Sequence, residues 1–123
     1  MSGNKIVADT SLLVNFFNGI DISKKVMQGQ HLWISCITEI ELLSYSGLTE
    51  DEENLIRSFL SACNIVDLHS SIRELAINIR KHQKLKVPDA IIAATSIYLD
   101  MPLVTMDSDF KKLSDLDIII LEI

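Results

Sequence analysis

The stretch KVPDAIIAATSIYLDMPLVTMDSDF, residues 86–110, decides the fold predicted for this chain. Pro88 suits the first turn of a helix, because no intrahelical hydrogen bond there needs its missing N–H. The apolar, alanine-rich run at 89–99 continues that helix, and Leu-Val-Thr at 103–105 reads as a short buried strand. A helix that leads into such a strand is typical of a parallel sheet covered on both faces.

The rest of the chain repeats this alternation of short apolar strands and amphipathic helices. Strands are predicted at residues 5–8, 31–35, 64–68, 103–105 and 117–121. Helices or helical turns are predicted at 11–18, 22–27, 36–45, 49–62, from 71 onward, 89–99 and 110–113. We therefore expect a three-layer α/β/α fold with a central parallel sheet, formed by residues 1–123 as one domain.

Two helices carry recognisable start signals. Thr49 with Glu52, and Ser71 with Glu74, match the capping-box pattern. The helix from residue 71 is expected to bury one apolar face, and so is the helix at 36–45. The residues expected on these faces are Ile72, Leu75, Ala76 and Ile79, and Ile37, Ile40, Leu42 and Leu43.

Composition narrows the class of protein. The 123 residues are 48% hydrophobic with only 4 Gly and 2 Pro, which suits a compact core and leaves little linker. Cys36 and Cys63 form no CxxC pattern, and the three histidines lack metal-ligand spacing, which argues against a zinc site. No apolar run approaches the ~18 residues of a membrane span. The start also lacks signal-peptide features, so we expect a cytoplasmic protein with no membrane partner.

Acidic residues stand where the apolar runs end. They are Asp9, Glu41, Asp89, Asp107 and Asp109. In parallel α/β folds the carboxyl ends of the strands form the ligand-binding edge, so these carboxylates are expected to share one pocket. Ionised carboxylates repel one another unless a cation lies among them. Hard oxygen ligands suit Mg²⁺ or Mn²⁺, which predicts a metal-dependent phosphoryl-transfer site.

Each acid also has a purely local explanation. Asp9 suits the cap of the helix that follows it, and Asp89 near a helix start is favoured by the macrodipole in any protein. The other local explanations are a capping box for Thr38-x-x-Glu41, with Glu39 as an alternative acid, and an Asx-turn for Asp107-Ser108-Asp109. The common position of the acids at strand ends is what favours a shared site.

The charge distribution argues in both directions. A formal net charge of −6 counts against general nucleic-acid binding, because phosphate contacts dominate that affinity. Four cations nevertheless cluster just before Asp89. They are Arg80, Lys81, Lys84 and Lys86, beside His82. A basic strip next to an acidic metal pocket is what a phosphodiester substrate requires, although a solvated helix end explains the same residues.

Three blocks of the sequence resemble the PIN-domain family, and within it the VapC-like toxins of toxin–antitoxin pairs. The blocks are VADTSLLVNFF at 7–17, ISCITEIELL at 34–43 and the stretch at 86–110. The first block is an apolar strand followed by Asp and a hydroxyl residue. The second has a Thr and then a Glu just before Leu-Leu. In the third, an Asp opens an Ala-rich helix, which is followed by a strand and an acidic turn. The resemblance covers nearly the whole chain.

The resemblance implies a Mg²⁺- or Mn²⁺-dependent ribonuclease with one or two ions, a homodimer that cuts RNA and is held by a cognate antitoxin. By position, the implied catalytic acids are Asp9, Glu41, Asp89 and Asp107, with metal ligands Asp9, Asp89, Asp107 and Asp109. Whether Asp107 or Asp109 is the fourth acid stays open. Thr10 and Thr105 match supporting hydroxyl positions, and we add Ser11 to them. The strip of Arg80, Lys81, Lys84 and Lys86 would guide the RNA.

Two other function classes remain at this point. A receiver-like phosphoacceptor or a small phosphatase also uses strand-end aspartates. The lysine that a receiver needs at a strand end is missing, and the first strand is followed by Asp9-Thr10-Ser11 where a phosphatase of the haloacid type has Asp-x-Asp. A PIN-like binding module without turnover is the second. Two predicted helices carry more apolar residues than one face of a small sheet needs. The surplus could form a groove for a second copy or an antitoxin, and ordinary core packing explains it equally well. The residues are Leu12, Leu13, Phe16, Phe17, Leu55, Ile56, Phe59 and Leu60.

Overall fold

A computed structural model describes residues 4–113 and 116–123. The strands are β1 (Lys5–Ala8), β2 (His31–Ser35), β3 (Asn64–Val66), β4 (Leu103–Thr105) and β5 (Ile118–Ile120). The helices are α1 (Thr10–Phe17), α2 (Asp21–Met27), α3 (Cys36–Leu43), α4 (Glu50–Leu60), α5 (Ser70–His82) and α6 (Val87–Leu99), and a 3₁₀ turn spans Ser108–Lys112. Within the described ranges, no helix is long and apolar enough to cross a bilayer.

All five strands are parallel, in the order β3-β2-β1-β4-β5. The chain builds outward from β1 to β3 on one side and then returns to add β4 and β5 on the other. Ala8 of β1 pairs with Val104 of β4 at the point where this direction reverses. The crevice at the carboxyl ends of the strands at such a reversal is where parallel α/β sheets bind ligands.

Alternate side chains of each strand enter separate cores on the two faces of the sheet. In β1, Val7 packs with α5 and α6, whereas Ile6 and Ala8 pack with α1, α2 and α4. In β4, Leu103 and Val104 divide in the same way. This is the period-two alternation of a strand buried on both sides. The predicted three-layer α/β/α fold is confirmed.

Two details of the helix predictions are wrong. Ile40 is 57% exposed, because the buried stripe of α3 runs through Thr38 and Leu42, one turn apart. The capping box of Ser71 does not form, since α5 begins at Ser70 with His69 at its N-cap and no side-chain cap hydrogen bond. The Thr49–Glu52 capping box does form, with both reciprocal hydrogen bonds present.

The expected surplus of apolar helix surface is present only in part. Leu12, Leu13, Ile56 and Leu60 are buried in the core beside α1 and α4. Three rings, of Phe16, Phe17 and Phe59, pack with centroids 5.2 to 5.4 Å apart and stay partly exposed. Leu55 is 63% exposed. Ordinary packing therefore explains about half of the set.

Candidate metal centre

The predicted acids meet at the carboxyl edge of the sheet, around the ends of β1 and β4. Asp9 follows β1 directly and its N–H donates to Val104 O of β4 at 3.0 Å. Asp107 lies two residues beyond β4, and Asp89 lies in the first turn of α6. Glu41 comes from α3. The fold thus brings together acids that are up to 100 residues apart.

Asp9 is the most enclosed of these acids, with a relative exposure of 3%. It caps α1, as its local explanation predicted. Its Oδ2 accepts hydrogen bonds from the Ser11 hydroxyl at 2.6 Å, the Ser11 N–H at 3.3 Å and the Thr105 hydroxyl at 2.6 Å. These donors compensate the burial of the carboxylate. They occupy one oxygen of the carboxylate, and the other, Oδ1, takes part in none of these bonds.

The same hydroxyls join β1 to the segment after β4. The Met106 N–H donates to Ser11 Oγ at 2.9 Å, and the Asp107 N–H donates to Thr105 Oγ1 at 3.0 Å. Ser11 Oγ and Thr105 Oγ1 are themselves 3.1 Å apart. Two side chains therefore hold the Asp9 carboxylate and the backbone that carries Asp107 in a fixed relation. Ser11 and Thr105, predicted as supporting residues, thus both contact the Asp9 carboxylate.

Thr10 and Thr38 orient Glu41. Thr10 Oγ1 lies 2.6 Å from Glu41 Oε1 and 3.0 Å from Thr38 Oγ1. Since a hydroxyl has one proton, Thr10 donates it to the carboxylate, the stronger acceptor. Ser35, and not Thr38, is the N-cap of α3, so the capping-box explanation for Glu41 is wrong.

Three carboxylates, of Asp89, Asp107 and Asp109, each offer an oxygen to a group whose members all lie within 4.8 Å of one another. Asp89 is the third residue of α6, after Val87 and Pro88. Asp107 caps the 3₁₀ turn and accepts from the Asp109 N–H at 2.9 Å. The local Asx-turn is therefore real, and the same turn brings both carboxylates toward α6.

The pKa of Asp89 is shifted by this arrangement of acids. Burial is the largest of the causes that raise the pKa of its carboxyl to about 6, and the negative charges of Asp9, Asp107, Glu41 and Asp109 contribute the rest, in that order. Among the described residues, the recorded salt bridges are Glu53–Arg57 and Lys111–Glu122, so no cation is paired with these acids. The arrangement favours a bound cation or a proton on Asp89.

The donor set fits a hard divalent ion. Mg²⁺ takes oxygen ligands at about 2.0–2.1 Å, so ligands on opposite sides of it lie about 4.2 Å apart. The three carboxylate oxygens lie within 4.8 Å of one another, so one ion could contact all three once the side chains close around it. The three aspartates supply neither the thiolate nor the imidazole ligands that are typical of zinc sites. The three aspartates could hold such an ion.

The predicted basic strip divides into two parts. Lys84 and Lys86, with Arg80, line a cleft of about 410 Å³ that Asp109 also lines. Lys81 lines a different cavity of about 520 Å³, shared with apolar side chains such as Ile77 and Val87. Arg80 reaches both. The four cations therefore line two cavities that share Arg80.

Two residues of this region were not singled out by the sequence. Thr38, fully buried under the site, was assigned only to a cap, although its spacing one turn before Leu42 marks it as facing the core. Lys112 also lines the cleft of Lys84 and Lys86. Its position in the 3₁₀ turn just after the acidic segment was the available signal.

Comparisons with known proteins agree with this geometry. The sequence matches the family model described as PIN domain over residues 6–116. Comparison with the curated proteins finds no match. Among solved structures, a toxin–antitoxin complex from Klebsiella pneumoniae contains a chain that is 30% identical. The two chains superpose with a TM-score of 0.85, and the alignment covers 96% of this chain and 99% of that chain.

Two more distant structures share the fold. FitAcB from Neisseria gonorrhoeae is 17% identical with a TM-score of 0.79, over 92% of this chain and 95% of that one. VapBC-5 from Mycobacterium tuberculosis, a member of the VapBC family of toxin–antitoxin systems, is 18% identical with a TM-score of 0.71, over 98% and 99%. With the family model matched over residues 6–116, these findings establish the predicted relationship: the chain belongs to the PIN-domain family.

Proposed function

We propose that residues 1–123 form one metal-dependent ribonuclease domain that hydrolyses RNA phosphodiester bonds and acts as the toxin of a type II toxin–antitoxin pair. The observation that carries the proposal is the group formed by Asp89, Asp107 and Asp109, with ligand atoms within 4.8 Å and no paired cation among the described residues. Such a group is costly without an ion and useful with one.

One or two Mg²⁺ or Mn²⁺ ions would be held by Asp89, Asp107 and Asp109, with Asp9 contributing its Oδ1. A bound ion of this kind lowers the pKa of a water molecule and offsets negative charge on the phosphoryl oxygens. Asp9 is suited to this role because Ser11 and Thr105 fix its other oxygen. Outer hydrogen bonds of this type orient metal-binding carboxylates.

Glu41 would orient the attacking water and accept its proton. Thr10 occupies Oε1 of Glu41, which directs the remaining oxygen, Oε2, to this task. Glu41 is exposed, so water reaches it. Its charge contributes to the raised pKa of Asp89, which supports a role for both carboxylates in one site.

RNA would reach the acids along the cations that precede α6. The basic residues assigned to this role are Arg80, Lys81, Lys84 and Lys86, all of them exposed. They supply local positive potential on a chain whose formal net charge is −6. Such local charge is what lets a globally acidic protein bind a phosphate backbone.

An antitoxin and a second copy of the chain are the proposed protein partners. The related chains from Klebsiella pneumoniae and Mycobacterium tuberculosis come from toxin–antitoxin systems. In this chain a cavity of about 360 Å³ lies between α1, α3 and α4, and exposed Tyr45 and Leu55 line it. An amphipathic segment of a partner would fit such an apolar groove. RNA as substrate also implies action in the cytoplasm.

Membership of the PIN family disfavours the receiver and phosphatase alternatives. The alternative of a PIN-like binding module differs from a nuclease only in turnover. Turnover is therefore the property that the first experiment measures.

The test is cleavage of end-labelled total cellular RNA by the pure protein with Mn²⁺ or Mg²⁺, beside EDTA and an Asp9→Asn control. We expect discrete cuts that vanish in both controls. A thermal melt with and without Mn²⁺ runs in parallel and should shift upward with the ion. Cuts that survive EDTA or the Asp9→Asn substitution would contradict the proposal. A melt that Mn²⁺ leaves unchanged would contradict the metal site itself.

A further inference from the structure

The cleft beside the metal centre gathers positive charge on a chain whose formal net charge is −6. Four cations and one carboxylate line it, together with Gln83 and Leu85. The charged residues are Arg80, Lys84, Lys86, Lys112 and Asp109. We propose that this cleft binds one phosphate of the RNA, adjacent to the phosphate that is cut. The inference rests on the proposed ribonuclease function and names how its substrate is held.

The cleft is built by hydrogen bonds between distant segments. Lys112 Nζ donates to Lys84 O at 2.9 Å, which ties the 3₁₀ turn to the loop between α5 and α6. Arg80 Nε donates to Leu85 O at 3.0 Å and holds the other side of that loop. A cleft fixed in this way needs little rearrangement to bind an anion, so little ordering entropy is lost.

These bonds leave most of the cationic donors free. An ammonium group carries three N–H donors and a guanidinium carries five, and the two bonds use one donor of each. Lys112 and Arg80 therefore keep donors for phosphate oxygens. The exposed ammonium groups of Lys84 and Lys86 supply the rest of the positive charge.

Asp109 connects the cleft to the metal centre, because it belongs both to the lining and to the three-aspartate group. An anion in the cleft therefore lies next to the ion that would hold the scissile phosphate. Repeating phosphates along a single strand provide two anions in this relation, whereas a mononucleotide provides no flanking one. The cleft thus predicts a requirement for a phosphate on one defined side of the cut.

Lys81 is not part of this phosphate site, since it lines the neighbouring cavity with Leu68, Ile77 and Val87. That cavity is lined mainly by apolar side chains, with Arg73, Arg80 and Lys81 among them, and unlike the cleft it has no residue of the three-aspartate group in its lining. Lys112 is the fourth cation of the cleft, and Lys81 contributes only to the positive potential that guides the RNA.

The experiment compares two variants that remove the same charge. Lys84→Gln/Lys86→Gln removes two cations from the cleft, and Lys24→Gln/Lys25→Gln removes two exposed cations from α2. Affinity for a labelled single-stranded RNA of about 12 nucleotides is measured by anisotropy, over about 50 to 200 mM salt. All proteins in this assay carry Asp89→Asn and the buffer contains Mg²⁺, so that RNA binding is measured without cleavage.

We expect the cleft variant to bind RNA about tenfold more weakly, with a salt slope shallower by about 0.7 for one lost phosphate contact. The α2 variant should keep the wild-type salt dependence of RNA affinity, because it changes the long-range electrostatic potential and removes no phosphate contact. Equal weakening by both variants, or unchanged affinity in both, would overturn the proposal. Failure of wild type to cut RNA would instead contradict the proposed function while this binding comparison still decides the cleft.

A second measurement locates the phosphate on a substrate that wild type cuts. Single uncharged methylphosphonate linkages are placed in turn on each side of the cut. Without Asp89→Asn, the wild type should lose about tenfold in kcat/KM at one flanking position. The Lys84→Gln/Lys86→Gln protein should show no added loss there. The same penalty in both proteins would overturn the assignment of that phosphate to the cleft.

Discussion

The two walls of the candidate metal centre solve the burial of carboxylates in different ways. The hydroxyl wall consists of Asp9, Ser11 and Thr105, where two hydroxyls and an N–H satisfy one buried oxygen. The carboxylate wall consists of Asp89, Asp107 and Asp109, which face one another without a paired cation in the described ranges. Hydrogen bonds stabilise the buried oxygen of the first wall, whereas the proposed ion would offset the charge of the second.

The difference separates the hydroxyl groups of Ser11 and Thr105, which position a carboxylate, from the carboxylates that would bind the ion. Donors around Asp9 hold it in one orientation before any ligand arrives, which is the arrangement that supports catalysis. On the carboxylate wall, burial and the neighbouring charges raise the pKa of Asp89 to about 6. Its electrostatic repulsion is released when a divalent ion binds. Changes to the two walls should therefore have different consequences.

The largest expected effect comes from the carboxylate wall. Asp89→Asn should lower kcat/KM for RNA cleavage by about 10³-fold or more, because it removes a charge that binds the ion. The measurement is a time course of RNA cleavage at saturating Mn²⁺. Lys24→Gln, on the exposed surface of α2, is the control and should cleave normally. Retention of more than a tenth of wild-type activity would remove Asp89 from the set of ligands.

A smaller effect is expected from the hydroxyl wall. Thr105→Val keeps the shape of the side chain but removes the 2.6 Å donor to Asp9, and should weaken Mn²⁺ binding about 10–100-fold. Titration calorimetry with Mn²⁺ measures it. Thr105→Ser restores a hydroxyl and should recover most of the affinity. If Val and Ser variants bind alike, packing at Thr105 matters and its hydrogen bond does not.

The pH dependence of Mn²⁺ affinity should depend on the carboxylate wall, through Asp89. Since Asp89 must lose its proton to bind an ion, Mn²⁺ affinity should fall about tenfold per pH unit as the pH drops below 6. In Asp89→Asn that part of the pH dependence should disappear, leaving weaker but flatter binding. Calorimetry at pH 5 and pH 7 tests both proteins. An equally steep dependence in the variant would assign the titration to another acid.

Much of the fold could be predicted from local patterns. The bounds of β2 (His31–Ser35) agree with the prediction, because HLWIS follows a turn at residues 28–29 and its apolar residues alternate between the two cores. The face of α3 could not be predicted by counting apolar residues. Its buried stripe includes Thr38, whose hydroxyl lies 3.0 Å from Thr10, 28 residues earlier. Ile40, although apolar, is left on the outer side.

The site shows the same division. The position of acids after strands predicts a shared edge, and Asp9 and Asp107 are found there. Which three carboxylates approach within 4.8 Å depends on how α6 and the 3₁₀ turn are placed, and no local pattern encodes that placement. The cleft is another case, since Lys112 meets the carbonyl of Lys84 across 28 residues. The sequence therefore predicted an acidic site at the sheet edge, and it did not predict which residues form the three-aspartate group or the cleft.

Stability without metal provides the last comparison. Between about pH 3.8 and pH 6 the unfolded chain loses the Asp89 proton while the folded protein keeps it, so stability falls as pH rises through this window. At pH 7, Asp89→Asn should therefore stabilise the metal-free protein. Because the side chain is partly exposed and solvent screens it, we expect about 1–2 kcal/mol.

Asp9→Asn should act in the opposite direction. An amide group offers one acceptor oxygen where the carboxylate has two, and its NH₂ would compete with the donors of Ser11 and Thr105. We expect a loss of about 1–3 kcal/mol. Urea unfolding in EDTA at pH 7 and pH 5 measures both variants. At pH 5 the gain from Asp89→Asn should shrink, since that carboxyl is then mostly protonated in the folded protein. Stabilisation by both substitutions would mean that the hydroxyl wall, too, is repulsive without an ion.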